Sequence, residues 1–279
     1  MVATPLGNLR DLGLRALDVL ASADVIGAED TRVTTVLLRH YGIATRPVSI
    51  REHNESRRAI EVIEWLRAGR SVAVVSDAGT PGVSDPGARV VAAVRAAGLP
   101  VVPIPGANAA IAAVSAAGLA AERFLVSRLP AAGGAARRAL LESVAALPGA
   151  LVCYEAPTGC AATVADLLGI CGGTRELAVA RELTKRFETI ASPSPLAEAA
   201  AWFDADANRE RGEFVLIVDQ AESTSAPATA RRQDARQLCG RWSRNRPPAR
   251  VARVTAAAAT GLPRAELYAL AVALKGAPD

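Results

Sequence analysis

The chain alternates short runs of apolar, often β-branched residues with longer stretches in which apolar positions return every three or four residues. In residues 54–68, Ile60, Ile63 and Leu66 recur between acidic and basic neighbours and Gly69 follows, which predicts an amphipathic helix stopped by glycine. The run SVAVVS at 71–76 is apolar without interruption between its serines, as expected of a strand covered on both faces. The same reading predicts helices over 12–23, 34–41, 88–97 and 107–117, and short strands at 25–26 and 101–104. Residues 77–87, rich in Gly, Pro, Ser and Asp, read as a loop. Such alternation predicts a doubly wound, mostly parallel α/β domain over residues 1–121.

Beyond it the predicted elements shorten and crowd together. Strands are expected at 124–127, 150–155, 176–181, 188–190 and 214–218, with helices at 135–146, 158–170 and 196–205. This predicts a second α/β domain over 122–222 with a mixed sheet. Residues 221–230 (AESTSAPATA) have linker composition. The remainder, 223–279, is expected to be a basic helical extension. Its stretch 231–253 holds eight Arg and one Asp, and predicted helices at 248–259 and 263–274 meet near Gly261 like a helix-turn-helix. That arginine density suits phosphate contacts; the plainer alternative is a basic linker and a helical hairpin packed on the body.

Composition sharpens this picture at a few points. Apolar residues are 51% of the 279 but aromatics only 4%, so the core must be built from Ala, Val, Leu and Ile. The net charge of +4 is unevenly placed: 223–279 carries +7 and the rest −3. Four cysteines without C-x-x-C spacing, and two histidines, argue against a disulfide framework, a zinc ribbon or a histidine-rich metal centre. Free thiols in a reducing cytoplasm are expected instead, and no metal site. The uncharged stretch 96–121 is broken by Pro100, Pro103 and Pro105 beside Gly98 and Gly106, which suits a strand, turn and helix rather than a membrane span. The start MVATPLGNLRD has no basic-then-apolar layout, so no signal peptide is expected. A soluble cytoplasmic protein without a membrane partner follows as the expectation.

In an open parallel sheet, ligands bind where loops leave the carboxyl ends of the strands. Three loops fit: TPLGN at 4–8, SDAGTPGVSDPG at 76–87 and PIPGANA at 103–109. Glycines let a ligand approach the backbone, carboxylates accept from a ribose diol or an ammonium group, and helix-opening N–H groups suit a carboxylate. Each alone could be an ordinary βα turn. Neither G-x-x-x-x-G-K-[ST] nor G-x-G-x-x-G is present, which argues against a phosphate cradle or a dinucleotide. The loops together predict a small ligand carrying hydroxyls, a carboxylate and an amine.

Eight ordered motifs carry a resemblance: VATPLGNL at 2–9, AEDTR at 28–32, EHNE at 52–55, the 76–87 loop, PIPG at 103–106, YEAP at 154–157, ARELTK at 180–185 and GEFV at 212–215. Over about residues 2–218 the chain resembles the ribosomal RNA small subunit methyltransferase I family. These are cytidine 2′-O-methyltransferases of 16S rRNA, of the tetrapyrrole methylase-like class that uses S-adenosylmethionine. The resemblance implies two α/β domains with the cofactor in the cleft between them, and a homodimer working on the small ribosomal subunit.

Carried over by position, the resemblance implies cofactor contacts from Pro5 and Gly7, from Asp77, Ala78, Gly79, Val83, Ser84 and Asp85, and from Gly106, Ala107 and Asn108. Gly212, Glu213 and Phe214, with the motifs around Glu155 and at 181–185, would close over the adenosine or form the substrate side, and the three are assigned to the cofactor. Asp30, His53, Asp85 and Glu155 are candidate proton acceptors, unranked, and Lys185 is a further catalytic candidate. Arg32, His53, Asn54, Arg128, Arg137, Arg138, Arg181 and Lys185 would face RNA, with Arg32 and Lys185 suited to a phosphate. For His53 a surface role is an equal alternative. Glu29, Glu52 and Glu55 read better as solvated surface, and Cys153 as core.

Three departures stand out. The family pattern has several apolar residues before VATP; either the sequence starts inside that first strand or the strand is short, which is expected to loosen the loop at 5–8. The basic segment after 124–127 has Ala131-Ala132 at its centre, and YEAP continues Thr158-Gly159 where the pattern has His-Arg. The last two bear on RNA contact rather than on cofactor. Two rival readings share the fold: a methylase of a tetrapyrrole such as a corrin precursor, disfavoured by TPLGN in the first loop, and a non-catalytic rRNA-binding or assembly factor, disfavoured by the intact cofactor loops.

Overall fold

A computed structural model describes residues 1–119, 122–128, 134–220 and Glu266. The expected linker, arginine-rich stretch and terminal helices, and the Ala131-Ala132 departure, lie outside the described residues. Met1–Gln220 forms one compact unit.

Its first sheet runs β2 (Pro47–Ser49), β1 (Val25–Ala28), β3 (Val72–Val75), all parallel. Alternation along these strands sends Ile26, Ala28, Ala73 and Val75 to one face, against Leu20 of α1 (Leu14–Ser22) and Leu37 and Leu38 of α2 (Thr31–His40). Val74 points the other way, into a cluster with Ala59 and Val62 of α3 (Glu55–Arg67) and Val90 and Val94 of α4 (Ala88–Ala96). Helices therefore cover both faces, and the domain is doubly wound as predicted.

The chain's first residues extend this sheet. Val2 N donates to Val74 O at 2.9 Å, and Val2 forms a parallel bridge with Ile104. The strand expected over 101–104 is reduced to that one bridge. Pro103 and Pro105 have no N–H to continue a ladder. Conversely β2, which begins on a proline, was not among the expected strands.

The second sheet has the order β4 (Phe124–Arg128), β5 (Ala150–Glu155), β8 (Phe214–Val218), β6 (Glu176–Arg181), β7 (Thr189–Pro195). Only β4 and β5 are parallel, so the sheet is mixed, as predicted. One face packs on α6 (Gly134–Ala145), α7 (Cys160–Cys171) and α8 (Ala199–Asp204) through Leu141, Leu167 and Phe203. The other is covered by α5 (Ala109–Ala116), whose Ala110 and Ala113 lie against Val152, Ala178 and Val215. Small alanines let α5 approach closely, and this packing brings the loop before α5 to the second sheet. Cys153 and Cys160 are buried in the core, and burial pushes the Cys153 thiol up to about 12, so it is inert. Among the described residues no helix is long and apolar enough to cross a membrane, and no group of His, Cys, Asp and Glu could hold a metal ion.

Candidate active site

The loops after β1, β2 and β3 leave the same sheet edge and are stitched together by polar contacts. Asp77 Oδ1 accepts from Asp30 N at 2.8 Å, Glu29 Oε2 accepts from Asp77 N at 3.3 Å, and Arg51 Nε donates to Glu29 O at 3.1 Å. The three expected ligand loops also meet here. Thr4 and Gly79 exchange backbone hydrogen bonds of 2.9 and 3.0 Å, and Thr80 Oγ1 donates to Ala107 O at 3.0 Å. Gly79 has φ 77°, and a Cβ there would stand 3.3 Å from Leu6 Cδ2 and 3.4 Å from Ala107 O, so glycine is needed both for the turn and for the convergence.

Between these loops and the second sheet lies a cavity of about 550 Å³. The first domain lines it with Leu6, Ala78, Gly79, Val83, Ser84 and Asp85; Asn108 caps α5 beside them, its Oδ1 accepting from Ile111 N at 3.1 Å. The second domain contributes Arg128, Tyr154, Glu155, Lys185, Glu213 and Phe214. Tyr154 OH donates to Asn108 Oδ1 at 3.4 Å, joining the two walls.

Asp85 lines the cavity, and two further acids, Asp77 and Glu29, stand near it outside the lining. Burial raises the pKa of Asp85, partly offset by a hydrogen bond from Ser76 and the charge of Arg128. Burial likewise raises Asp77, and it raises Glu29, where the charges of Asp85 and Asp77 add to the effect. Glu29 is thus no solvated surface acid. Arg128 Nη1 donates to Ser84 O at 2.8 Å, so its guanidinium braces the 76–87 loop from the second sheet.

The opposite wall is a clasp. Lys185 Nζ pairs with Glu182 Oε1 and Glu213 Oε2, each at 2.8 Å. Burial opposes its charge, but those two hydrogen bonds prevail and raise its pKa, so Lys185 is a fixed cation and not a base. The turn that presents it holds Glu182 at φ 50° and Thr184 at φ 66°, left-handed conformations that are strained for side-chain-bearing residues. Thr184 Oγ1 accepts from Asn8 N at 3.1 Å and ties the first loop to this turn. Glu155 is held by Thr163 Oγ1 at 2.6 Å and by Ala156 N at 2.9 Å. A Cβ at Gly159 would stand 2.5 Å from Glu155 Oε1, so the glycine of this chain's Thr158-Gly159 departure makes room for that carboxylate.

Other expected site residues stand outside the cavity lining. Pro5 and Gly7 flank Leu6, Gly106 and Ala107 precede Asn108, and Asp77 precedes Ala78. Gly212, at φ 92°, shapes the turn before Glu213. Asp30 caps α2 and pairs with Arg32 at 2.5 Å; these hydrogen bonds hold its carboxyl far below the usual range, which makes it a poor proton acceptor. His53 is exposed, and Asn54 Oδ1 accepts from Arg51 N at 2.8 Å. Arg137 and Arg138 both reach Asp166, at 2.7 and 3.5 Å, although Arg137 also lines the cavity. Arg181, expected to face RNA, is instead buried and donates to Arg211 O at 2.5 Å and Phe187 O at 3.1 Å, so its guanidinium is consumed by the fold. Glu55, read as surface, is also buried. Leu6, Ala180 and Leu183 were missed because apolar wall residues carry no chemical signature. Tyr154 was missed although it stands in the YEAP motif, since a tyrosine on a predicted strand reads as core.

Two α/β domains of this kind, with a cavity at their junction, are the architecture of the tetrapyrrole methylases. The structure superposes on uroporphyrin-III-C-methyltransferase from Thermus thermophilus with a TM-score of 0.55, covering 79% of this chain and 93% of that one, at 22% identity. The profile of the tetrapyrrole (corrin/porphyrin) methylases matches residues 1–200. Sequence relatives narrow the class. "Ribosomal RNA small subunit methyltransferase I" of Vibrio cholerae is 46% identical over 78% of this chain and 75% of its own length. The protein of the same name from Synechocystis sp. is 40% identical over 99% of this chain and 97% of its own. The chain belongs to the ribosomal RNA small subunit methyltransferase I family.

Proposed function

We propose that this protein transfers a methyl group from S-adenosylmethionine to the ribose 2′-hydroxyl of a cytidine in 16S rRNA of the small ribosomal subunit. The observation that carries the reading is the cavity in which three glycine-bearing loops and a half-buried carboxylate of the first domain face a fixed lysine of the second. Its residues suit the cofactor. About 550 Å³ lies within the range of nucleoside-sized sites, Gly79 permits close approach of the backbone, and Asp85, whose charge is disfavoured by burial, gains from a cationic ligand group. The Asn108-capped start of α5 supports a carboxylate.

When bound, S-adenosylmethionine supplies an electrophilic methyl on a good leaving group. The chain's own work is then alignment and removal of one proton. Among the four proton-acceptor candidates we favour Asp85, which faces the cavity and has a raised pKa; Glu155 is the second choice, being engaged by Thr163. Lys185 remains protonated and serves phosphate or hydroxyl oxygen as a donor. Arg32, His53 and Asn54, at the neighbouring sheet edge, form an RNA-facing rim. The family likeness supports a homodimer, read directly by light scattering, and the rRNA substrate supports a cytoplasmic setting.

The test is incubation with labelled S-adenosylmethionine and, in separate arms, 30S subunits, naked 16S rRNA and a corrin precursor. Label on a cytidine 2′-oxygen is expected. Label confined to the macrocycle, or to a base, overturns the reading.

A further inference from the structure

Glu55 is the first residue of α3, yet its work is done on another helix. It is 4% exposed, and its Oε1 accepts three backbone N–H groups at the start of α4: Gly87 at 2.9 Å, Arg89 at 2.8 Å and Val90 at 3.3 Å. These are donors that a helix start leaves unsatisfied. No local side chain serves them, because the capping position of α4 is Gly87. That glycine stands at φ 132°, and a Cβ there would be 2.8 Å from Met1 Cε, so the position cannot readily carry a capping side chain of its own.

The cap therefore comes from 32 residues earlier in the chain, and it acts at a sensitive place. Gly87 ends the 76–87 loop, and Asp85 and Ser84, two and three residues before it, line the cavity. Arg128 grips the same loop at Ser84 O from the second sheet. On the other side, Glu55 directly follows the rim segment 51–54, whose Arg51 reaches Glu29 O and Asp30. One buried carboxylate joins the rim to the loop.

We propose that Glu55 is a positioning residue for methyl transfer: it fixes the end of the 76–87 loop so that Ser84 and Asp85 stand correctly against the donor. This rests on the cavity being the donor site. The carboxylate is favoured at a helix start by the helix dipole. Its geometry, three donors on one oxygen, depends on side-chain length as much as on charge.

The experiment compares the full-length wild type with Glu55→Gln, Glu55→Asp and Glu55→Ala. It measures S-adenosylmethionine affinity by calorimetry, kcat and KM with 30S subunits, thermal melting, and amide exchange at Gly87, Arg89 and Val90. Gln keeps an acceptor at the same reach, whereas Asp keeps the charge but withdraws it by one methylene. Donor affinity and kcat are expected to fall about tenfold in Asp and more in Ala, with Gln within about threefold of wild type. Amide exchange at the three positions should quicken in the same order. Uniformly lower melting with unchanged donor affinity and kcat in the folded variants overturns the positioning role. If Ala does not fold, the Asp and Gln pair decides. Wild-type protein that takes up no donor overturns the donor-site reading itself, and this proposal with it.

Discussion

Gly7 lies directly beneath the stem of Lys185: a Cβ at position 7 would overlap Lys185 Cγ and stand 3.2 Å from Cδ and Cε. The two residues belong to different domains: Gly7 directly follows Leu6, and both Leu6 and Lys185 line the cavity. Lys185 cannot easily retreat, since Glu182 and Glu213 hold its ammonium. Gly7→Ala is therefore expected to behave as overpacking at a fixed neighbour, costing about 1–3 kcal/mol. Donor affinity should fall more than melting temperature. Gly169→Ala, at an exposed position of α7 with nothing within 4 Å of the new Cβ, is the contrasting case. It should stabilise by about 0.5–1 kcal/mol. Calorimetry and denaturant unfolding read both.

Asp85 in the cavity wall, with Asp77 and Glu29 nearby, predicts a pH dependence with a definite sign. Asp85 and Asp77 have pKa values raised above the ordinary 3.8, and Glu29 above 4.5. Acids raised on folding favour the native state below their ordinary values. That advantage is lost as pH rises through the raised values and the buried groups ionise. A cationic ligand in the cavity stabilises the ionised form of Asp85, the one of the three that lines it, and so releases a proton on binding. Donor affinity should weaken as pH falls from about 7 into this raised range. Calorimetry in buffers of different ionisation heat should show proton release; proton uptake, or affinity flat with pH, would contradict the assignment.

Arg181 shows how a motif residue can be structural. Its guanidinium spans Arg211 O and Phe187 O from inside the protein. Arg181→Ala should cost stability, about 1.5–3 kcal/mol for hydrogen bonds made by a buried charged group. Donor and subunit affinity of the folded fraction should change little. Arg128→Ala, by contrast, releases Ser84 O and should weaken donor binding with a smaller effect on unfolding. Urea titration alongside filter binding separates the two.

Periodicity made the body of the fold legible, because Val72–Val75 and the 3.6-residue pattern of α3 answer to burial alone. It failed where geometry is set at a distance. Pro47–Ser49 becomes a strand because β1 offers it an edge, and Thr189–Pro195 outruns its predicted 188–190 by pairing with β6 through a Pro-rich stretch that reads as loop. At the site, the three loops and their carboxylates were readable from glycine and acid spacing. The roles of Glu55 and Arg181 were not, since both carry surface-type side chains whose partners are backbone groups of other segments, at Gly87, Arg89 and Val90 for Glu55 and at Phe187 and Arg211 for Arg181. Nor was the apolar wall, which is defined only once α5 packs on the second sheet.

The extension at 223–279 carries a net +7 against −3 for the remainder, so its contribution should be electrostatic. Deleting it should weaken small-subunit binding while leaving donor affinity nearly intact. The truncated chain should also show a shallower dependence of log K on log salt, by about 0.7–0.9 for each phosphate that the extension neutralises. Salt-titrated sedimentation with 30S subunits measures the slope. Equal slopes for the two chains would exclude the extension from docking.

The choice of Asp85 as proton acceptor is open to the most direct kinetic test. A positioned base contributes about 10²–10⁴-fold, so Asp85→Asn should lower kcat on that scale at saturating donor and subunit. The wild-type rate should rise with pH through the raised carboxylate range, and the variant should lose that limb. Saturation matters because Asp85 also faces the donor. If the variant's rate returned to the wild-type kcat once donor was raised to saturation, the carboxylate would be a binding group only. Glu155→Gln is the internal comparison: its carboxylate already accepts from Thr163 and Ala156, so a smaller loss is expected, with destabilisation where Thr163, buried on α7, has its partner weakened. A larger kcat loss in Glu155→Gln than in Asp85→Asn would reverse the assignment, moving the proton to the second domain's wall.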